Sequence, residues 1–143
     1  MTAKEYLKQI ERLDKRVELL RERIEETETA LTSITMDLSK ERVQGGKGGN
    51  RYDLVERLDE LTDEAIETQL LLLSRKTKVA LQIQSLSRPE YMHILTERYI
   101  KHRKLSDIAE DPETKYCDVH IYRLHGEALQ EFAEKFAPFE DEI

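Results

Sequence analysis

Apolar side chains recur along the first part of the chain with an unusually regular step. Tyr6, Ile10, Leu13, Val17, Leu20, Ile24, Thr27, Leu31, Ile34 and Leu38 follow one another at alternating intervals of four and three, with Thr27 the one break, a mild one because it keeps a methyl. Almost every position between them is polar or charged. An alternation of this kind held over five heptads predicts a long helix with a coiled-coil seam over about 3–42. A second run follows over about 52–86, on Leu54, Leu58, Leu61, Ala65, Thr68, Leu72, Val79, Ile83 and Leu86. It is weakest at Arg75 and Lys76. Between the runs lies Val-Gln-Gly-Gly-Lys-Gly-Gly-Asn, residues 43–50. Each glycine costs a helix about 1 kcal/mol relative to alanine, so the stretch reads as the loop of an antiparallel helical hairpin. A phosphate-binding loop would need Ser or Thr after the lysine, between a strand and a helix. Here Gly48 follows Lys47.

The four leucines at 70–73 cover almost every direction around a helix. One seam cannot bury them all, and the surplus predicts a second contact, with another subunit or with the C-terminal part.

Beyond residue 86 the period shortens. Ser87 reads as an N-cap, with Pro89 in the first turn and Glu90 closing a capping box. A third helix is expected over about 89–101, with Met92, Leu95, Tyr99 and Ile100 apolar. A polar break at 101–104 separates it from a short helix carrying Leu105, Ile108 and Ala109, which Pro112 stops. A fifth helix over about 118–136 has the stripe Ile121, Leu124, Ala128, Leu129, Phe132 and Phe136. Short helix, turn and amphipathic helix make a helix-turn-helix pattern. Ile108, Ala109, Ile121 and Leu124 are its expected internal contacts. Three segments follow: 1–86 as coiled-coil hairpin, 87–137 as helix-turn-helix domain, and 138–143 as acidic tail. The fold class expected is all-α.

The pieces LTERYI (95–100), LSDIAE (105–110) and IYRLHGEAL (121–129) resemble region four of bacterial sigma factors. They are also similar to phage late-transcription regulators of the ArpU and RinA type. With its coiled coil, the chain as a whole resembles a family of small phage and prophage proteins of Gram-positive hosts. The resemblance implies a transcription regulator that binds double-stranded promoter DNA, or RNA polymerase, in the cytoplasm of a bacterial host. In this sequence the turn 111–117 is about two residues longer than usual in such motifs, and Asp118 would have to cap the recognition helix.

On the residues themselves, the first half of the fifth helix would face the major groove. Its candidate readers are His120, Tyr122 and Arg123, since Arg can pair with guanine and the others can donate to bases or phosphates. Lys101, Arg103 and Lys104 are the candidate phosphate anchors, which position a module without specifying sequence. Arg98 and Lys115 are weaker ones.

Composition limits this picture. The 143 residues are 37% charged and 38% hydrophobic, without Trp, and the net charge is −7. That is opposite to the balance of a non-specific nucleic-acid coat. Residues 87–137 carry −2 and residues 138–143 carry −3. DNA affinity outside a specific site should therefore be weak and salt-sensitive. The single cysteine, Cys117, permits no internal disulfide, and no apolar run approaches a membrane span. The charged N-terminal stretch does not read as a signal peptide. No His or Cys spacing suits a metal, and no carboxylate pair stands out as acid and base. No cofactor and no enzymatic activity are expected. A homo-oligomer is. The alternative is an interaction protein of the same fold that does not read DNA: a partner of polymerase or of a sigma factor, or a packaging component like a small terminase subunit.

Overall fold

A computed structural model describes residues 1–40, 47–111 and 118–140, with side chains placed for 1–34, 51–111 and 119–140. All regular structure among them is helical. α1 runs Ala3–Lys40, α2 Lys47–Gln84, α3 Pro89–Leu95, α4 Leu105–Glu110 and α5 Asp118–Phe136. α3 continues as one wide π-helical turn, Thr96–Ile100. α2 starts earlier than the loop reading of 43–50 allowed, because Lys47, Gly48, Gly49 and Asn50 are already helical. The first turn of a helix has few internal hydrogen bonds to lose, so glycine is tolerated there better than inside. Residues 43–46, the rest of that loop, lie outside the described residues, as do 41 and 42 at the expected end of the first helix.

The chain forms two compact units, Asp14–Leu71 and Met1–Leu13 with Leu72–Ile143. Their limits fall inside the two long helices and not at residue 86.

In the first unit, Arg16 of α1 reaches Glu64 of α2 at 3.2 Å. Arg23, Thr27 and Ala30 line a shallow groove with Leu54 and Arg57. Rising numbers on one helix meet falling numbers on the other, as an antiparallel pair requires. Val17, Leu20, Thr27, Leu61 and Thr68 are buried. The two threonines are tolerated because each hydroxyl donates to the carbonyl four residues back, on Arg23 and Glu64, at 2.8 Å.

In the second unit α1 is enclosed more widely. Ala3, Tyr6, Leu7, Gln9, Ile10 and Leu13 are all buried. At about 100° per residue they span an arc of about 160°, twice the width of a single seam. The helix begins with a capping box: Thr2 N–H donates to Glu5 Oε2 at 2.8 Å, and Glu5 N–H to Thr2 Oγ1 at 3.2 Å. Tyr6 stacks on Phe139 at 4.8 Å between centroids and lies 6.1 Å from Phe132, which also meets Phe136 at 4.9 Å. The Tyr6 hydroxyl donates to Gln82 Oε1 at 3.0 Å. Arg75, at the weak point of the second run, fills the seam between Leu72 and Val79 and is 8% exposed.

α5 packs most extensively on α3 and also on α4. Ile94, Leu95, Ile108, Ile121, Leu124, Ala128 and Phe132 form this core, while Ala109 is only half-buried. The capping box expected on Ser87 is not formed: Arg88 is the N-cap, extended at φ −119° and ψ 134°, without a side-chain cap. Pro89 bars its predecessor from helical backbone, so the helix starts one residue later. Ser87 N–H donates instead to the Glu131 carboxylate at 3.2 Å. Asp118 is the first residue of α5, and the turn before it lies outside the described residues.

Tyr99 is buried, and its hydroxyl lies 2.9 Å from Nε2 of His125, the two rings stacking at 5.8 Å. Burial pushes the tyrosine up to about 12. It pushes His125 down to about 4, and the Arg98 and Lys4 charges add to that shift. An unfolded histidine titrates near 6.5. Between these values the unfolded chain binds a proton that the folded chain refuses. The contribution of neutral His125 is thus complete above pH 6.5 and is lost as pH falls towards 4. The lowered carboxylates Glu5, Glu97 and Glu131 act only below about pH 4.5. The melting temperature should therefore fall between pH 6.5 and 4.5, and His125→Gln should flatten that fall in a thermal scan across pH.

Candidate nucleic-acid interface

The site begins at the break after the π-helical turn. His102 adopts φ 58°, the left-handed conformation usual for Gly or Asn after a helix end. Lys101 N–H returns to the Thr96 carbonyl and Arg103 N–H to that of Glu97, both at 3.0 Å. The reversal places two cations on one buried carboxylate. Glu97, 7% exposed, accepts from Lys101 Nζ at 2.8 Å and from Arg103 Nη1 at 2.9 Å. These cations hold its carboxyl below the usual range, with the Lys101 bond first among the causes. Arg103 also donates to Asp111 Oδ2 at 3.1 Å and to the Asp107 carbonyl at 3.2 Å. Its guanidinium joins the start of the π turn to the first turn and the C-cap of α4.

Of the expected phosphate anchors, then, Lys101 and Arg103 face carboxylates of their own chain. Lys104 is exposed as the extended N-cap of α4, its carbonyl accepting from Ile108 N–H at 3.0 Å. Lys115 lies outside the described residues, as does Cys117. Arg98 is half-buried with its guanidinium 5.4 Å from the centre of the Tyr99 ring.

The readers expected on α5 are closer to that role. Its buried side is Ile121, Leu124 and Ala128. Helical spacing turns Tyr122 and Arg123 to the other side. Tyr122 is 56% exposed, and the Arg123 side chain 66%. Arg123 Nη2 lies 3.0 Å from His120 Nδ1, and its Nε 3.7 Å from Glu127 Oε1. Glu127 also accepts from the Tyr91 hydroxyl at 2.9 Å. These contacts orient the guanidinium along the helix surface.

Two residues join this face without having been singled out in the sequence. Val119 is 81% exposed. Its signal was a β-branched apolar residue lying off the Ile121–Leu124–Ala128 stripe. Gly126 is the second: a Cβ placed there would meet nothing within 4 Å. A glycine in a helix interior costs about 1 kcal/mol, and no internal packing accounts for this one. With Val119, Tyr122 and Arg123 it forms a low, open patch that another molecule could approach closely.

Among the described residues no three His, Cys, Asp or Glu side chains come together to hold a metal ion. None of the described helices is long and apolar enough to cross a membrane. The chain matches no protein-family model, no curated protein and no solved structure.

If Arg103 acts by tying Glu97, α4 and Asp111 together, Arg103→Ala should lower stability by about 1–3 kcal/mol in urea unfolding. Lys104→Ala, which removes no such contact, should leave the unfolding midpoint within experimental error.

Proposed function

We propose that the chain is a DNA-contacting transcription regulator of phage type, built as an antiparallel coiled-coil hairpin followed by a sigma-like helix-turn-helix. In this reading α4 and α5 are the helix-turn-helix and α5 enters the major groove of promoter DNA in a bacterial cytoplasm. The observation that supports it is the solvent face on the first half of α5. Val119, Tyr122, Arg123 and Gly126 lie there, opposite the buried Ile121 and Leu124. Such a face suits base edges: an arginine for guanine, a hydroxyl donor, and a branched apolar group for the thymine methyl. Self-association of the long helices would set the distance between two half-sites.

A second reading is favoured by one observation, the engagement of Lys101 and Arg103 by Glu97 and Asp111. With those cations neutralised internally, the same α5 face would take a protein. RNA polymerase, a sigma-like factor or a packaging component is then the partner, and the module carries no DNA of its own.

Selection from random duplex DNA at low salt separates the two. The first reading expects an enriched sequence. Arg123→Ala should then relax preference at one base pair, at a cost of about 1–3 kcal/mol. Gly126→Ala should raise thermal stability while weakening binding. An unenriched pool, with polymerase or another protein retained by the chain after nuclease treatment, would establish the second reading instead.

A further inference from the structure

Three of the four residues at 101–104 are Lys or Arg, yet two of them are balanced within the chain. Glu97 and Asp111 stand against Lys101 and Arg103, two anions for two cations. The Glu97 side chain is 9% exposed, that of Arg103 32% and that of Lys101 60%. The carboxylate therefore lies beneath the cations, and their outer sides meet solvent.

The backbone is shaped to make this pairing. Lys101 is four residues after Glu97 and reaches it by helical spacing alone. Arg103 is six residues after it, and on a continued helix it would point about 120° away. The left-handed backbone of His102, φ 58°, turns the chain back and brings the guanidinium to Glu97 at 2.9 Å. That conformation is unfavourable for a residue with a Cβ. Each cation has its own oxygen of Glu97, Oε1 for Lys101 and Oε2 for Arg103. A phosphate approaching the turn thus meets two cations that each have a fixed negative charge within bonding distance. Opposite charges that close cancel much of each other's field, and little is gained when a DNA phosphate takes the carboxylate's place.

We propose that Glu97 is a specificity-determining residue: it competes with DNA phosphate for Lys101 and Arg103, and so withholds from arbitrary sequence the attraction those cations would give. Affinity is then left to the α5 face, and a preferred site stands out further from the rest. This role rests on the DNA reading of α5, but the competition is measurable without it.

The probe is a short duplex of random sequence, and the readout is the dependence of log Kd on log salt. A glutamine at 97 offers one acceptor oxygen in place of two, and no charge. Glu97→Gln should bind the duplex more tightly than wild type at low salt. Each cation released to phosphate should steepen the slope by about 0.9, an extra loss of about 3.5-fold between about 50 and about 200 mM salt. Asp111→Asn should steepen it by itself, and the two changes together should steepen it further. Adding Lys101→Gln with Arg103→Gln to Glu97→Gln should return the slope to the wild-type value. Glu18→Gln removes the same charge from α1 and should leave the slope unchanged, which separates competition from net charge. An unchanged slope in Glu97→Gln and Asp111→Asn, both helical by circular dichroism, would overturn the proposal even if wild type selects a specific sequence. A steeper slope that requires Lys101 and Arg103 sustains it even if wild type selects none, and then only the DNA reading of α5 fails.

Discussion

Phe132 is fully buried about one turn before the end of α5, and the second compact unit closes around it. Tyr6, Phe136 and Phe139 surround the ring from one side. The apolar residues of α3 and α4 complete the core. Tyr6 and Phe132 stand 126 positions apart, so bringing them together costs chain entropy that local helix formation cannot supply. Burial of aromatic surface supplies it. Secondary contacts then lock the approach: Tyr6 to Gln82, Ser87 to Glu131, and Lys135 to the Ser85 carbonyl. Each ties the connection after α2 or its last turns to α1 or α5.

That core determines what the candidate interface can offer. With Ile121, Leu124 and Ala128 held inside, Val119, Tyr122 and Arg123 are turned outward. The break before α4 follows a different logic. Glu97 is a carboxylate in a nearly buried position and needs compensation. Lys101 and Arg103 provide it from the next few residues. Cations in a turn are usually read as available to a ligand, but here a buried anion of the same chain meets them first. What limits the turn as a cationic surface is in this way a local ion-pair cluster, not net charge alone.

Several features were legible because they depend on neighbours along the chain. The 3–4 spacing marked both long helices, the limits 118–136 of α5 agreed with its stripe, and the polar break at 101–104 fell where the third helix ends. Other features were not. Ser87 looked like a cap, but Pro89 controls the backbone before it, and Glu131 takes the Ser87 amide. Leu7 and Gln9 lie outside the heptad seam, and nothing nearby indicated a second layer against them. Ile94, outside the expected apolar set of its helix, is completely buried. The extent of the loop at 43–50 was also overestimated, since glycine propensity was applied to a first turn where it matters least.

The sequence by itself determined the class of structure: periodicity and scarce Gly and Pro make the regular elements among the described residues helical, and heptad spacing orients one face of each of the two long ones. Only the tertiary structure decided where the compact units divide, which cations are already engaged, and which side of α5 stays open. Those outcomes depend on contacts between residues far apart in the chain, such as Tyr6 with Phe132 or Tyr99 with His125. A local pattern specifies which side chains want to be buried, but not which partners arrive to bury them.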